Sequence, residues 1–376
     1  MQRGKNYMLR ALELARGGKG WVEPNPLVGA VIVKKGKIIG EGFHEFFGGP
    51  HAEPRAIKDA GKGCKGATLY VNLEPCAHFG KTPPCTEAII KAGIKEVVAA
   101  VEDPHPLVKG KGFSALEAAG IEVRCGLLRC EARRLNAPYF KLRTRGEPFF
   151  IGKWAMTLDG KIATREGDSR WISSPQARQY VHKLRGEMDA IMVGIGTVLT
   201  DDPELTARPV HTGGARSAAG RKPPLRRIVV DSRARLPLDS RLVKTAAETP
   251  VILATTEKAP REALKKLSRK GLEIIEVKSR YRRVDLKALA QRLGEMELTN
   301  VIIEGGGELL ASAFSASLVD RVIVFVAPKI FGGRRAKTAV EGKGIAKVME
   351  ALPIKYTQFF PIGEDIVIEG EVLAVR

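Results

Sequence analysis

The sequence predicts an α/β protein built as two domains. Three observations predict it. The chain has 376 residues, long for a single core when domains run to roughly 100–200 residues. Short runs rich in Val and Ile alternate with segments of helical spacing. The first such series stops in a polar, basic stretch, Leu135–Pro148, where Gly146-Glu147-Pro148 marks a boundary. The expected domains are 1–146 and 147–376.

Within the first series, Met8, Leu9, Leu12 and Ala15 give a helix over Asn6–Arg16. Val28–Val33 is an apolar strand, and Lys35-Gly36 turns it back into Lys37–Gly40. A helix over His51–Asp59 and a strand over Ala67–Leu73 follow. Thr86–Ala92 is a helix closed by Gly93, the residue type favoured after a helix end. Glu96–Val101, a helix over Phe113–Ala119 and the strand Ile121–Val123 complete a mixed sheet with helices on its faces. In the second series, Ala190–Gly194, Arg227–Asp231, Val251–Ala254, Val301–Glu304 and Leu318–Val326 read as strands. Helices over Ser174–Arg185 and Glu262–Lys270 fall between them. The aperiodic segment 211–224 reads as an exposed loop, and no repeat of fixed period is present.

Composition narrows the class. The 44% apolar and 28% charged fractions are those of a folded globular chain. No run approaches the roughly 20 apolar residues of a membrane span, and no signal-length apolar run follows Arg3 and Lys5. A soluble, cytoplasmic protein with no membrane partner is expected. The net charge of +20 is spread along the chain, which suits small anionic substrates better than a nucleic-acid footprint. Few Asn and Gln beside many Lys, Arg and Glu also suit a heat-adapted protein. Five cysteines without an export signal favour metal binding or burial over disulfides.

The strongest chemical signal is His51-Ala52-Glu53 followed by Pro75-Cys76 and Cys85. One imidazole and two thiolates suit Zn²⁺ and leave its fourth tetrahedral position to water, which the metal acidifies. Glu53, at a helix start, can carry protons to the ring nitrogen and the leaving ammonia. That is the arrangement of zinc base deaminases. Two blander alternatives remain open. One is a closed structural zinc completed by His44, His78 or His105; the other is a pair of buried thiols. A base deaminase acting on tRNA, with an RNA-binding second half, also stays in view.

The spacing narrows the class further. Eight residues separate Cys76 from Cys85, whereas nucleic-acid and nucleoside deaminases usually carry Pro-Cys-x-x-Cys. The stretch Leu73-Glu-Pro-Cys-Ala-His-Phe-Gly-Lys-Thr-Pro-Pro-Cys85, with Pro24–Gly29, Gly48–Glu53 and Leu135-Asn136, resembles the bifunctional riboflavin-biosynthesis deaminase/reductase family. Leu158–Gly160, Gly167–Ile172 and Val193–Thr197 carry the resemblance into the second half. It implies a cytidine-deaminase-like α/β/α domain followed by a dihydrofolate-reductase-like α/β domain, zinc and NADPH as cofactors, and a self-associating protein. The implied substrate is a diaminopyrimidinone ribosylamino 5′-phosphate, deaminated and then reduced from ribosyl to ribityl, with no nucleic-acid partner. Asn25 would contact substrate in the first domain, with His78 and Lys81 at the pocket or a phosphate. Ala77, Pro54 and His105 depart from the usual pattern without removing a ligand or Glu53.

No Gly-x-Gly-x-x-Gly follows a strand in the second half. Val301–Leu310 offers instead a strand, three glycines and a helix, a turn that permits close approach to pyrophosphate. Alone it is a common α/β turn; with Leu318–Val326 it looks like the end of a dihydrofolate-reductase-type domain. Carried over from the family, Ala155, Trp171, Thr197, Asp201, Ser232, Gly306 and Gly307 match NADP positions. Ser169, Arg185, Leu205, Arg208 and Glu304 match substrate positions. The forks of Arg185 and Arg208 suit a 5′-phosphate. Lys153 and Asp159 are polar residues near the cleft, either of which could simply hold the loop in place, and no catalytic acid is assigned to this domain.

Overall fold

The computed structural model describes residues 2–207 and 224–373. The expected loop at 211–224 lies, but for its last residue, outside them, as does Arg208. The described chain separates into two compact units, one ending at Gly146 and the other starting at Glu147.

The first unit runs α1 (Gln2–Ala15), β1 (Gly29–Lys34), β2 (Lys37–Phe43), α2 (Ala52–Ala60), β3 (Thr68–Val71), α3 (Cys85–Lys91), β4 (Glu96–Ala99), α4 (Lys111–Ala118), β5 (Glu122–Cys125), α5 (Arg129–Leu135) and α6 (Ala137–Arg145). Its sheet has the order β2-β1-β3-β4-β5. The pairs β1–β2 and β1–β3 are antiparallel; β3, β4 and β5 are parallel. Alternate residues of β1 serve two cores, as a pleated strand buried on both faces requires. Ala30 and Ile32 pack with Ala52, Ala56, Ile89 and Leu116 of the helices on one face. Val31 and Val33 pack with Met8, Leu12, Tyr139 and Phe140 on the other.

Two glycines set the height of α2 above the sheet. A Cβ on Gly40 or Gly42 of β2 would stand 2.4 Å from the Ala56 carbonyl or 2.6 Å from that of Ala52. Only bare backbone lets α2 lie this close. Helix α6 occupies the stretch expected to be a polar boundary, and α5 ends where that stretch begins. Charged residues crowd their sequence, yet Ala132, Tyr139, Phe140 and Leu142 are buried, so two very short helices conceal their apolar period in the charge.

The second unit runs β6 (Phe149–Thr157), α7 (Pro175–Gly186), β7 (Ala190–Gly194), α8 (Ile195–Asp201), β8 (Arg226–Val230), α9 (Arg241–Lys244), β9 (Val251–Thr256), α10 (Arg261–Arg269), β10 (Glu273–Val277), β11 (Ser279–Arg280), β12 (Arg283–Val284), α11 (Leu286–Glu295), β13 (Asn300–Glu304), α12 (Gly307–Ser315), β14 (Val319–Ala327), β15 (Ile354–Ile362) and β16 (Asp365–Val372). Nine strands form one sheet in the order β10-β9-β8-β7-β13-β6-β14-β16-β15. From β10 to β14 neighbours are parallel, and β16 and β15 close the edge antiparallel. The closing hairpin was not expected. Lys355, Thr357, Gln358 and Pro361 interrupt the apolar alternation of β15, because one side of that strand faces solvent.

This topology locates a crevice. From β7 the chain moves to β8, whereas from β13 it crosses past β6 to β14. The two connections leave adjacent strands in opposite directions, and such switch points at strand C-termini are where open α/β sheets bind ligands.

Candidate active sites

In the first unit, His51 is the N-cap of α2 with φ −70° and ψ 170°. Cys76 sits in the loop after β3, and Cys85 opens α3 directly after Pro84. Together they bring three soft or borderline donors to one point, with all ligand atoms within 4.8 Å of one another. His51 Nδ1 lies 3.2 Å from Cys85 Sγ and 3.6 Å from Cys76 Sγ. Its Nε2 faces Thr82 Oγ1 at 3.4 Å. Nδ1 is therefore the metal-facing nitrogen, and Thr82 accepts from the other, an orienting contact of the kind metal-bound imidazoles make. Hydrogen bonding with Cys85 and with His51 draws the Cys76 thiol down, while the same Cys76 contact and burial push Cys85 up. The donor set fits zinc.

Glu53 is buried, and its Oε2 accepts from Cys85 Sγ at 3.3 Å. Burial, followed by the neighbouring Cys76 charge, raises its pKa. It stands beside the three ligands without joining them, as a proton carrier must. Pro54 occupies the first turn of α2, where a missing N–H costs the helix nothing. Its departure from the family pattern is structurally silent.

Asn25 is oriented by a chain of contacts. His44 Nδ1 lies 3.1 Å from the Pro50 carbonyl and must donate to it, so its Nε2 accepts from Asn25 Nδ2 at 3.2 Å. Burial lowers the His44 pKa to about 4, keeping it neutral. Asn25 thus presents its Oδ1 to the cavity of about 200 Å³ that it lines with Glu53, His78, Lys81 and Thr82. The loop is held from below at Leu27. Buried Asn136 accepts from its N–H (2.8 Å) and donates to its carbonyl (2.9 Å), and Asn72 donates to the same carbonyl at 2.8 Å. Among the described residues the buried His78 Nδ1 has no hydrogen-bond partner, and its ring stacks on His105 with centroids 6.3 Å apart. Lys81 Nζ rests 3.8 Å over Phe47. Among the described residues, neither His44, His78 nor His105 joins the His51, Cys76 and Cys85 cluster. Sequence reasoning missed Thr82, Asn72 and the role of His44; only the Thr82 position inside the Cys76–Cys85 insert gave a signal.

Below the metal loop, Glu74 gathers four backbone N–H groups, from Asp103 (3.1 Å), Gly110 (3.0 Å), Gly112 (2.9 Å) and Phe113 (3.3 Å). It ties the Cys76 loop to α4.

In the second unit a cavity of about 670 Å³ opens at the switch point. Thr197, Asp201, Ser232, Gly306, Gly307 and Ser169 line it. Gly305 and Gly306 have φ of 93° and 80°, which disfavours any side chain. A Cβ on Gly307 would stand 2.6 Å from Glu341 Cγ. This bare backbone leading into α12 is a cradle that fits a pyrophosphate. Ala155 and Trp171 lie outside the lining; Trp171 is exposed, under Arg178 at 4.5 Å.

Beside the cradle, Glu304 at the end of β13 is paired in register with Lys153 of β6. Arg185 of α7 grips Glu304 through Nε (2.8 Å) and Nη2 (2.9 Å), and its Nη1 donates to the Thr206 carbonyl at 3.2 Å. Lys153 Nζ stands 3.6 Å from Glu304. Burial acts to raise the Glu304 pKa, but Lys153 and Arg185 outweigh it and hold the carboxyl down at about 2. Burial also lowers the Lys153 pKa. The Arg185 fork, expected to face a phosphate, is thus engaged by Glu304. Leu205 is buried with a positive φ of 51°. Asp159 accepts from Thr157 (2.6 Å), Phe331 N–H (3.2 Å) and Gly332 N–H (2.7 Å), so it holds its loop.

Comparison with known proteins bears on both units. Residues 1–101 match the cytidine and deoxycytidylate deaminase zinc-binding region, and residues 148–368 match the RibD C-terminal domain. The chain is 45% identical over 364 residues to the riboflavin biosynthesis protein RibD of Aquifex aeolicus, covering 97% of each. It is 41% identical to that of Escherichia coli, covering 96% of this chain and 97% of the other. The structure matches Acinetobacter baumannii RibD with a TM-score of 0.87 at 36% identity over 99% of each chain. It also matches a Thermotoga maritima diaminohydroxyphosphoribosylaminopyrimidine deaminase/5-amino-6-(5-phosphoribosylamino)uracil reductase, with a TM-score of 0.81 at 36% identity over 99% of each.

Proposed function

The chain belongs to the RibD family, and from that premise we propose which residues perform its two reactions and on what. It is a bifunctional enzyme of riboflavin biosynthesis with a zinc deaminase domain and an NADPH-dependent reductase domain. The deaminase is assigned to 1–146 and the reductase to 147–376. The substrates are those named for the Thermotoga relative: the diaminopyrimidine ribosylamino phosphate, then its deaminated aminouracil.

The carrying observation is Glu53, buried beside three metal ligands without binding with them. Zinc held by His51, Cys76 and Cys85 supplies Lewis acidity toward a water. Glu53 would take the water's proton to the ring nitrogen and then carry a second proton, from the added hydroxyl, to the amino group that leaves as ammonia. Asn25 Oδ1 accepts from a ring or ribose donor, and His78 and Lys81 meet the phosphorylated arm. In the reductase, NADPH supplies the hydride. The Gly306-Gly307 turn, with Thr197, Asp201 and Ser232, holds it; Ala155 and Trp171 complete the family set. Ser169, Arg185, Leu205, Arg208 and Glu304 serve the substrate, Arg185 by fixing Glu304.

Self-association belongs to the proposal. Val348, Met349, Tyr356 and Phe359 are strongly exposed in the second unit, and sedimentation should show more than one copy. All five cysteines are free, which suits a reducing cytoplasm. The small deaminase cavity, about 200 Å³, supports a small substrate over nucleic acid. NADPH consumption with zinc-loaded protein and the diamino substrate tests the assignment. Wild type should oxidise NADPH, and Glu53→Ala should do so only with the aminouracil phosphate. A wild type inert toward both compounds would sink the substrate assignment.

A further inference from the structure

Among the described residues, the largest fully buried side chain is Arg227, near the start of β8. Its strand neighbours are Ile191 of β7 and Val251 of β9, and an apolar residue would fill that interior position at lower cost. Among the described residues no carboxylate pairs with its guanidinium; every partner is a neutral oxygen. Burial lowers its pKa to about 10, so the group stays charged at neutral pH.

The two terminal nitrogens of Arg227 have separate partners. Nη2 donates to the carbonyls of Leu242 (3.3 Å), Thr245 (3.0 Å) and Thr249, around the end of α9. Nη1 donates to Thr245 Oγ1 at 2.8 Å and reaches across to the Glu204 carbonyl at 3.1 Å. Glu204 belongs to loop 202–206, which follows α8 and holds two non-glycine residues in the left-handed region, Asp202 at φ 38° and Leu205 at φ 51°. A bulky residue keeps such a backbone only where the chain on both sides of it is held.

For Leu205, guanidinium groups hold both sides. Arg227 binds the carbonyl of Glu204 before it; Arg185 Nη1 binds that of Thr206 after it at 3.2 Å, with His182 Nδ1 at 3.3 Å. Arg185 grips Glu304 with its other two nitrogens. The backbone from 204 to 206 is thus a short span strung between two arginines, and its Arg185 end meets the Glu304–Lys153 pair. A shift of the Glu204 carbonyl would pass along three residues to the third contact of Arg185. We propose that Arg227 is a positioning residue of the reductase: by fixing the Glu204 carbonyl it keeps Leu205 and Thr206 in place, so that Arg185 presents Glu304 to the substrate in one geometry. This rests on the assignment of Arg185, Leu205 and Glu304 to the reductase substrate.

The test is steady-state reduction of the aminouracil phosphate by the full zinc-loaded chain at saturating NADPH, alongside equilibrium binding of NADPH. Arg227→Met removes both sets of bonds. At about tenfold for a lost charge-assisted bond, KM should rise at least about tenfold. The kcat should stay within about threefold, the mark of lost ground-state binding. NADPH affinity should stay within about twofold, because residues 204–206 lie outside the lining of the cofactor cavity. Arg227→Lys keeps a cation for the three carbonyls around Nη2, but its single nitrogen cannot also span to Glu204. It should show the same rise in KM, and it carries the test if the Met variant fails to fold. Thr245→Val is the control for a merely structural role. It removes one bond to Nη1, leaves the Glu204 contact, and should lower the urea midpoint with KM unchanged. Lower stability with unchanged KM in both Arg227 variants would overturn the proposal, as would an equal rise in KM in Thr245→Val. Wild-type KM and kcat for reduction in Glu304→Gln would instead overturn the substrate assignment.

Discussion

The two sites are built in opposite ways. The deaminase centre draws its three candidate ligands and its proposed proton carrier from positions 51 to 85, on one helix start, one loop and a second helix start. The reductase centre gathers Lys153, Arg185, Ser232, Glu304 and Gly306 from three strands, or the turns that follow them, and a helix. A metal needs particular donor atoms, so its site appears in the sequence as residue types at a spacing. A dinucleotide is held largely by backbone approach and by charges that converge only after the sheet forms.

The largest contrast comes from removing the metal. Chelation, or Cys76→Ser, should abolish deamination while the reductase still consumes NADPH on the aminouracil phosphate; parallel loss of both activities would mean that the metal also supports the second unit. Next in size is Glu304→Gln. Breaking a buried pair costs about 3–5 kcal/mol, and it leaves Lys153 and Arg185 facing each other, so reduction should fall by about two orders of magnitude or more with deamination kept. The pH dependence has a defined sign. A carboxyl held near 2 when folded and about 4.3 when unfolded contributes stability present above about pH 4.3, lost as pH falls toward 2. Urea titrations should show a shallower loss across that window in the variant.

A smaller effect is expected at Thr82→Val. Loss of a contact orienting a ligand should weaken zinc about tenfold, read by competition with a chelator, with the cysteine ligands untouched; unchanged affinity would leave Thr82 as a loop residue. Smallest is Asn136→Ala. Leaving the Leu27 N–H unsatisfied should cost about 1–3 kcal/mol and raise KM for the diamino substrate more than it lowers kcat, because Asn25 would lose its fixed position. A drop in kcat alone would argue against that route.

Both sites show the limit of sequence pattern. Gly306 and Gly307 were readable as a turn and Thr197 by resemblance, but the packing of Thr197 and Glu341 against that turn was not, since contacts between residues far apart in sequence have no local period. Arg185 was legible as an anion fork, yet tertiary packing gave that fork to Glu304. Asp159 was legible as a polar residue that could hold the loop near the cleft, and its contacts with Thr157, Phe331 and Gly332 fit that reading. Helices α5 and α6 escaped because buried Tyr139 and Phe140 sit among six Arg and Lys residues between Arg129 and Arg145.

By itself the sequence determined the α/β alternation, the boundary near Gly146 and the His51, Glu53, Cys76, Cys85 set, because periodicity and donor chemistry are local properties of a chain. Tertiary structure alone decided which nitrogen of His51 faces the metal, which end of Asn25 faces the cavity, and that β13 inserts between β7 and β6. Those outcomes depend on hydrogen-bond partners and strand neighbours far apart in sequence, which only a closed core can select.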